Sequence, residues 1–135
     1  MSLFSIFGVS GSAVAAQSQR LNVVASNLAN ADSAAGPDGT PYKARQVVFE
    51  TQSVNGDPAS RGVRVSKIVE DSAPPRKIHD PNHPLADADG YVSMPNVNVI
   101  EEMVNMISAS RSYQTDIDVM NTAKSMLQKT LQMGG

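Results

Sequence analysis

The chain has 135 residues, 11 Lys+Arg against 13 Asp+Glu, and a net charge of -2. That length makes one ordinary domain, and the near-balanced charge gives no electrostatic case for nucleic acid or an anionic membrane as partner. Cysteine and tryptophan are absent and aromatics are 4%, which excludes disulfides, thiolate metal sites and cysteine nucleophiles and argues against a dense self-sufficient core, while no apolar run approaches the roughly 18 residues of a membrane span.

Proline divides the chain. All 8 prolines lie between Pro37 and Pro95, and proline removes a backbone donor and clashes with the preceding helical turn. The chain reads as an N-terminal helical segment (1–35), a helix-hostile middle (36–96) and a C-terminal helical segment (97–135). The predicted fold is mainly α: terminal helices forming an antiparallel coiled-coil-like hairpin, with a small β-hairpin and an extended proline-rich segment between them.

The first helix is expected over residues 10–31. Val14, Leu21, Val24, Leu28 and Ala31 recur with the three-and-four spacing of a coiled-coil seam. Ser10 or Ser12 suits its cap, because Gly8 and Gly11 each disfavour a helix interior by roughly 1 kcal/mol. Up to Ala31 the only charged side chain is Arg20. An exposed helix carries a charged solvent face, so this one is expected to have protein on most sides. A short apolar stretch from Leu3 to Val9 with no preceding cation makes a poor cleaved signal peptide.

In the middle, residues 42–49 and 61–69 are expected to be strands joined by an Asn55-Gly56-Asp57-Pro58 turn. Residues 71–95 hold few apolar groups and are expected to be extended and ordered only by docking. His79, Asp80, His83, Asp87 and Asp89 invite a metal reading, in which the chain is a small metal-dependent enzyme using His79 and His83. Pro81 and Pro84 forbid the helix that would align the two imidazoles. Asp87-Ala88-Asp89-Gly90 fails as a calcium loop, because Leu85 and Asn96 would fill its first and twelfth positions. Asp-Pro and Asp-Gly pairs of this kind suit turns. No phosphate-cradling loop or nucleophile elbow is present, so no catalytic residue, metal or cofactor is expected.

The last helix is expected over residues 97–133, about 55 Å long against about 33 Å for the first. Its apolar positions are Ile100, Met103, Val104, Ile107, Ile117, Met120, Leu127 and Leu131, with Met106, Tyr113 and Met126 widening the stripe. The phase slips near residues 110–114. Glu101 and Glu102 suit its first turn, Lys124 and Lys129 its end, and Gly134-Gly135 its stop. A longer helix paired with a shorter one leaves apolar turns uncovered, which neighbouring copies or close relatives would cover.

The run from Leu21 to Asp32 (LNVVASNLANAD), with Asn27 and Asn30 inside it, resembles the N-terminal signature of bacterial flagellar rod and hook proteins. SASRSYQ at 108–114, which includes Tyr113 and Gln114, and Asn121-Thr122-Ala123-Lys124 resemble the C-terminal one. The short middle resembles a proximal rod subunit more than the distal rod or hook proteins. The resemblance implies a structural, non-enzymatic subunit of a helical tube in the periplasmic basal body. Such a tube transmits torque and surrounds the protein export channel. Its subunits leave through the flagellar type III export apparatus without a cleaved signal peptide. Expected partners are other copies of the chain, other rod proteins, the rod-base adaptor, the membrane-supramembrane ring and the export apparatus, with no nucleic acid and no small-molecule substrate. Another axial subunit such as proximal rod protein B is the nearest alternative. Expected subunit-packing residues are Val14, Leu21, Val24, Leu28, Ile100, Met103, Ile107, Ile117, Met120, Leu127 and Leu131.

Overall fold

A computed structural model describes residues 2–134. Two terminal helices flank a β region: α1 Leu3–Ala29, β1 Arg45–Val54, β2 Asp57–Glu70, β3 Arg76–His79, β4 Tyr91–Met94 and α2 Val99–Gly134. No helix is long and apolar enough to cross a membrane among these residues.

Helix α1 begins seven residues before the expected start. Ser2 caps it, its hydroxyl accepting from the Ser5 amide at 3.1 Å. Neither Ser10 nor Ser12 is a cap: Ser10 is buried inside the helix, and Ser12 Oγ donates to the Val9 carbonyl at 2.7 Å and accepts from the Val63 amide at 3.1 Å. Neither glycine ends the helix, and at Gly8 another element comes close. A Cβ on Gly8 would sit 2.7 Å from Val54 Cγ1, and one on Gly11 would sit 3.8 Å from Met120 Sδ. Gly62 answers from the opposite side, where a Cβ would lie 2.6 Å from Ser12 Oγ. Tertiary contact thus outweighs the propensity cost. At its far end α1 stops at Ala29, capped by Asn30, whose amide and Nδ2 both donate to the Ser26 carbonyl. Ala31 lies past this end and packs with Ala44 and Val97 beneath Tyr42.

Strands β1 and β2 pair antiparallel around Asn55 and Gly56, both at positive φ, as a tight two-residue hairpin turn requires. The ladder runs longer than expected on both sides of the turn. Its register shifts between Ser53 and Val54, and Pro58 falls in that gap, where its missing N–H costs no ladder bond. Asp57 accepts from the Ala59 amide and then from the Ser60 hydroxyl, which together hold its carboxyl below the usual range.

Residues 71–95 depart from the expectation. They are not simply extended: β3 and β4 form a second antiparallel pair, extended by a bridge from Ala35 to Ser93. Each strand spans four residues and sits between prolines, so neither needs a proline amide. The connection turns at Gly90, whose φ is +82 and where a Cβ would lie 3.0 Å from Pro81 Cγ. Asn96 ties this region down, Oδ1 accepting from the Ala44 amide at 2.7 Å and Nδ2 donating to the carbonyls of Asp71 and Ala73.

Helix α2 starts at Val99 behind an Asn98 cap, whose Oδ1 accepts from the Glu101 amide at 3.2 Å. It runs through Gly134, past the expected stop at Met133, and Gly135 lies outside the described residues. Asn27, near the end of α1, meets Glu102 near the start of α2, whereas Leu3 and Ile6 line a groove with Val119 and Met126. On its other side α1 packs against β1 and β2. The first helix therefore has protein on two sides, which accounts for its lack of a charged face.

The buried apolar residues are Ala16, Val24, Ala31, Ala44, Val92, Val97, Ala109 and Ala123. No leucine, isoleucine, methionine or phenylalanine is fully buried among the described residues. The largest fully enclosed side chain is Asn27.

Candidate functional site

Two features distinguish the helix pair: a polar joint at its base and a set of large apolar side chains turned to solvent.

The joint is built on Asn27, which is 0% exposed. Its Nδ2 donates to the Arg45 carbonyl at 2.8 Å and to Glu102 Oε2 at 3.0 Å. Its Oδ1 accepts from the Tyr42 hydroxyl at 2.7 Å and the Arg45 amide at 2.9 Å. Both amide protons and both lone pairs are thus used, the full capacity of the side chain. One residue thereby joins α1, the start of β1 and the start of α2. Ser26 Oγ lies 3.2 Å from the Tyr42 hydroxyl, and the Arg45 guanidinium sits 5.7 Å from the Tyr42 ring centre. Of the other motif residues, Asn30 caps α1 and Tyr113 is half-buried. Gln114 and Asn121 are exposed, and Gln114 donates to Asp118 Oδ1 at 3.1 Å.

The expected packing residues divide. On α1, Val24 is buried and Val14, Leu21 and Leu28 are half-buried. On α2 the expected positions fall on more than one face. Ile117, Met120 and Leu127 are half-buried, but Ile100, Met103, Ile107 and Leu131 are exposed. At about 100° per residue, Ile107 and Ala109 lie about 200° apart on the helix. The inner line is Glu102, Ala109, Asp116 and Ala123, spaced by seven, with Glu102 and both alanines buried. Sequence reasoning missed this line because it followed large apolar residues. The heptad spacing of two alanines was the available signal, since small residues permit close helix approach.

Asp116 is an anomaly on that line. Partial burial pushes its carboxyl up from the ordinary value. A raised carboxyl favours the protonated form in the paired helices. Asp116 therefore opposes pairing least in acid, and opposes it more as pH rises through the raised value. Asp116→Asn is expected to increase the helical far-UV circular dichroism of the chain at pH 7. Below about pH 3, where the acid is also neutral, the two proteins are expected to coincide.

The histidines are engaged elsewhere. His79 meets Tyr91 edge-on at 4.9 Å between ring centres, and His83 Nδ1 accepts from the Leu85 amide at 3.0 Å. Asp87 Oδ1 accepts from the amides of Asp89 and Tyr91, which is turn chemistry. Among the described residues no cluster of three His, Cys, Asp or Glu side chains is placed to hold a metal.

On the two helices the exposed large apolar side chains lie toward opposite ends of the pair. Ile100, at 76% exposure, heads a face with Met103, Val104 and Ile107 at the base. Phe4, Val119, Met126, Leu131 and Met133 are exposed toward the other end. There Leu3, Ile6, Val119 and Met126 also line an apolar groove of about 290 Å³. Surface of this kind, on a chain with so little buried apolar bulk, belongs to an assembly.

Comparison with known proteins agrees. Residues 7–37 match the family model "Flagella basal body rod protein", and residues 88–133 match "Flagellar basal body rod FlgEFG protein C-terminal". The chain is 59% identical over 134 residues to the flagellar basal-body rod protein FlgC of Salmonella typhimurium, covering 99% of each. It is 60% identical to FlgC of Yersinia enterocolitica and 58% identical to FlgC of Escherichia coli O157:H7, each over 134 residues and 99% of both chains. With identity of that degree running from one terminal helix to the other, the chain belongs to the flagellar basal-body rod proteins, a structural and non-enzymatic family.

Proposed function

We propose that this chain is a subunit of the proximal rod, the segment of the drive shaft nearest the motor. In this reading it assembles with copies of itself and other rod proteins into a helical tube across the periplasm. The tube meets the rod-base adaptor and the membrane-supramembrane ring, transmits torque, and encloses the channel of the type III apparatus that exported the chain uncleaved. The terminal helices act as an antiparallel coiled-coil-like hairpin, with α2 toward the channel and α1 outside it.

The observation that carries the reading is the polarity of α2 on the side away from α1. Beyond Ile107 that side presents Arg111, Gln114, Asn121 and Ser125, all exposed. With one cation among small and amide side chains, this makes a wetted wall that offers a passing unfolded chain no apolar patch to stick to. The opposed ends of the two helices, Asn27 at Glu102 and Gly11 at Met120, support the hairpin. Stiffness in such a shaft comes from many interlocked helices, each lateral contact limiting the bending of the next.

Electron cryo-microscopy of purified basal bodies tests this. The density for this chain is expected in the proximal rod, with Gln114 and Asn121 facing the channel. A position outside the rod, or α1 lining the channel, would overturn it.

A further inference from the structure

The outward side of α2 is not uniform. Its first turns are apolar, and the polar stretch begins only after Ile107. We infer that Ile100, Met103, Val104 and Ile107 do not line the channel, and that they seat the basic, apolar helix end of an axially adjacent rod subunit. The inference rests on the rod reading above and specifies one contact within it.

Charge and position argue for that occupant. Residues 99–109 carry Glu101 and Glu102 and no cation; residues 123–134 carry Lys124 and Lys129 and no anion. Glu102 is buried against Asn27, which leaves Glu101 exposed beside the apolar face. At the opposite end, Met133 is 88% exposed one turn beyond the exposed Lys129, and Leu131, 70% exposed, lies on the other side of the helix. Helix dipoles stacked head to tail add in the same sense, because a helix start attracts negative charge and a helix end attracts positive charge. An acidic apolar base and a basic apolar tip on one molecule are complementary in both hydrophobicity and charge. Contacts of this heterologous kind do not close on themselves, so they propagate along an axis. Two bases facing each other would instead bring Glu101 near its own copy, which repulsion opposes.

The test uses basal bodies assembled in cells from the full chain, with a photo-crosslinking benzoylphenylalanine at Ile100 in one strain. In a second, photo-methionine is incorporated, and crosslinks from Met103 are read. The second label nearly preserves side-chain shape, so it reports even where the bulky ring blocks assembly. Crosslinks are expected on the last three turns of the final helix of an axial subunit, whether this chain or a relative. Glu101→Lys is expected to lower recovery of the chain in basal bodies roughly tenfold, with Glu101→Gln between it and the parent. Crosslinks to another base, to a β-hairpin or to a non-axial protein would overturn the inference, as would assembled chain with no crosslink at all. A chain located in the proximal rod with any of those crosslinks defeats only this contact. A chain found outside the rod defeats the rod reading and the contact with it.

Discussion

Purified and dilute, the chain is expected to show far less helix than the 27 residues of α1 and 36 of α2 would give. Ordering a residue's backbone costs roughly 1–2 kcal/mol. Burying a large aliphatic side chain contributes about 1.5–3 kcal/mol, yet on the two helices the buried apolar residues are only Ala16, Val24, Ala109 and Ala123. The large side chains that would offset the ordering cost, such as Ile100, Val104 and Leu131, face solvent. Nucleation of a helix is itself unfavourable. Neighbours that cover those side chains supply the missing stabilisation, so helix content is expected to rise on assembly. Far-UV circular dichroism and amide exchange of the dilute chain measure this. Cooperative melting with the Ala109 and Ala123 amides strongly protected would overturn it.

The second large effect is expected at Asn27. Asn27→Leu keeps a side chain of similar length but removes all four hydrogen bonds. The Arg45 amide and carbonyl lose their partner in a partly buried place, at roughly 1–3 kcal/mol for each unsatisfied group, and the buried Glu102 keeps only Asn105 Nδ2, at 3.4 Å. The hydroxyl of Tyr42 is partly spared, because Ser26 Oγ is within reach. The variant is expected to be made and exported but absent from basal bodies, and the cells not to swim. Asn27→Asp refines the argument. It sets a second carboxylate against Glu102 where a donor stood, so repulsion replaces attraction. Protonating either acid restores a donor, and the defect is therefore expected to lessen as pH falls. Normal swimming by the Asn27→Leu strain would show that the joint is dispensable.

The joint also shows how far the sequence could be read. Asn27 stood out as part of a motif, but its role depends on residues 15 and 75 positions away, Tyr42 and Glu102. No local pattern announces such a meeting. Glu102 reads as a first-turn acid suited to the helix dipole, and it is that, but it is also buried. The second β pair was missed for a similar reason. Residues 76–79 and 91–94 are too short to show a period of their own, and their pairing depends on the Gly90 turn and the Ala35 bridge. Helix α1 starts earlier than the cost of Gly8 and Gly11 suggests, because that cost is local, whereas Val54, which fills the space Gly8 leaves, comes from a distant strand.

Proline placement, the scarcity of charge before Ala31 and the local residue spacing by themselves determined two terminal helices, a β-hairpin in the middle and a chain that needs neighbours. Those features follow from backbone sterics and side-chain period, which act over a few residues and are written locally. Which face of α2 turns toward α1 was decided only in three dimensions. Close helix approach selected the alanines at 109 and 123 over the bulkier isoleucines and methionines, because steric fit depends on what stands opposite. The large side chains were left outward, and that choice makes this subunit a part of a larger structure.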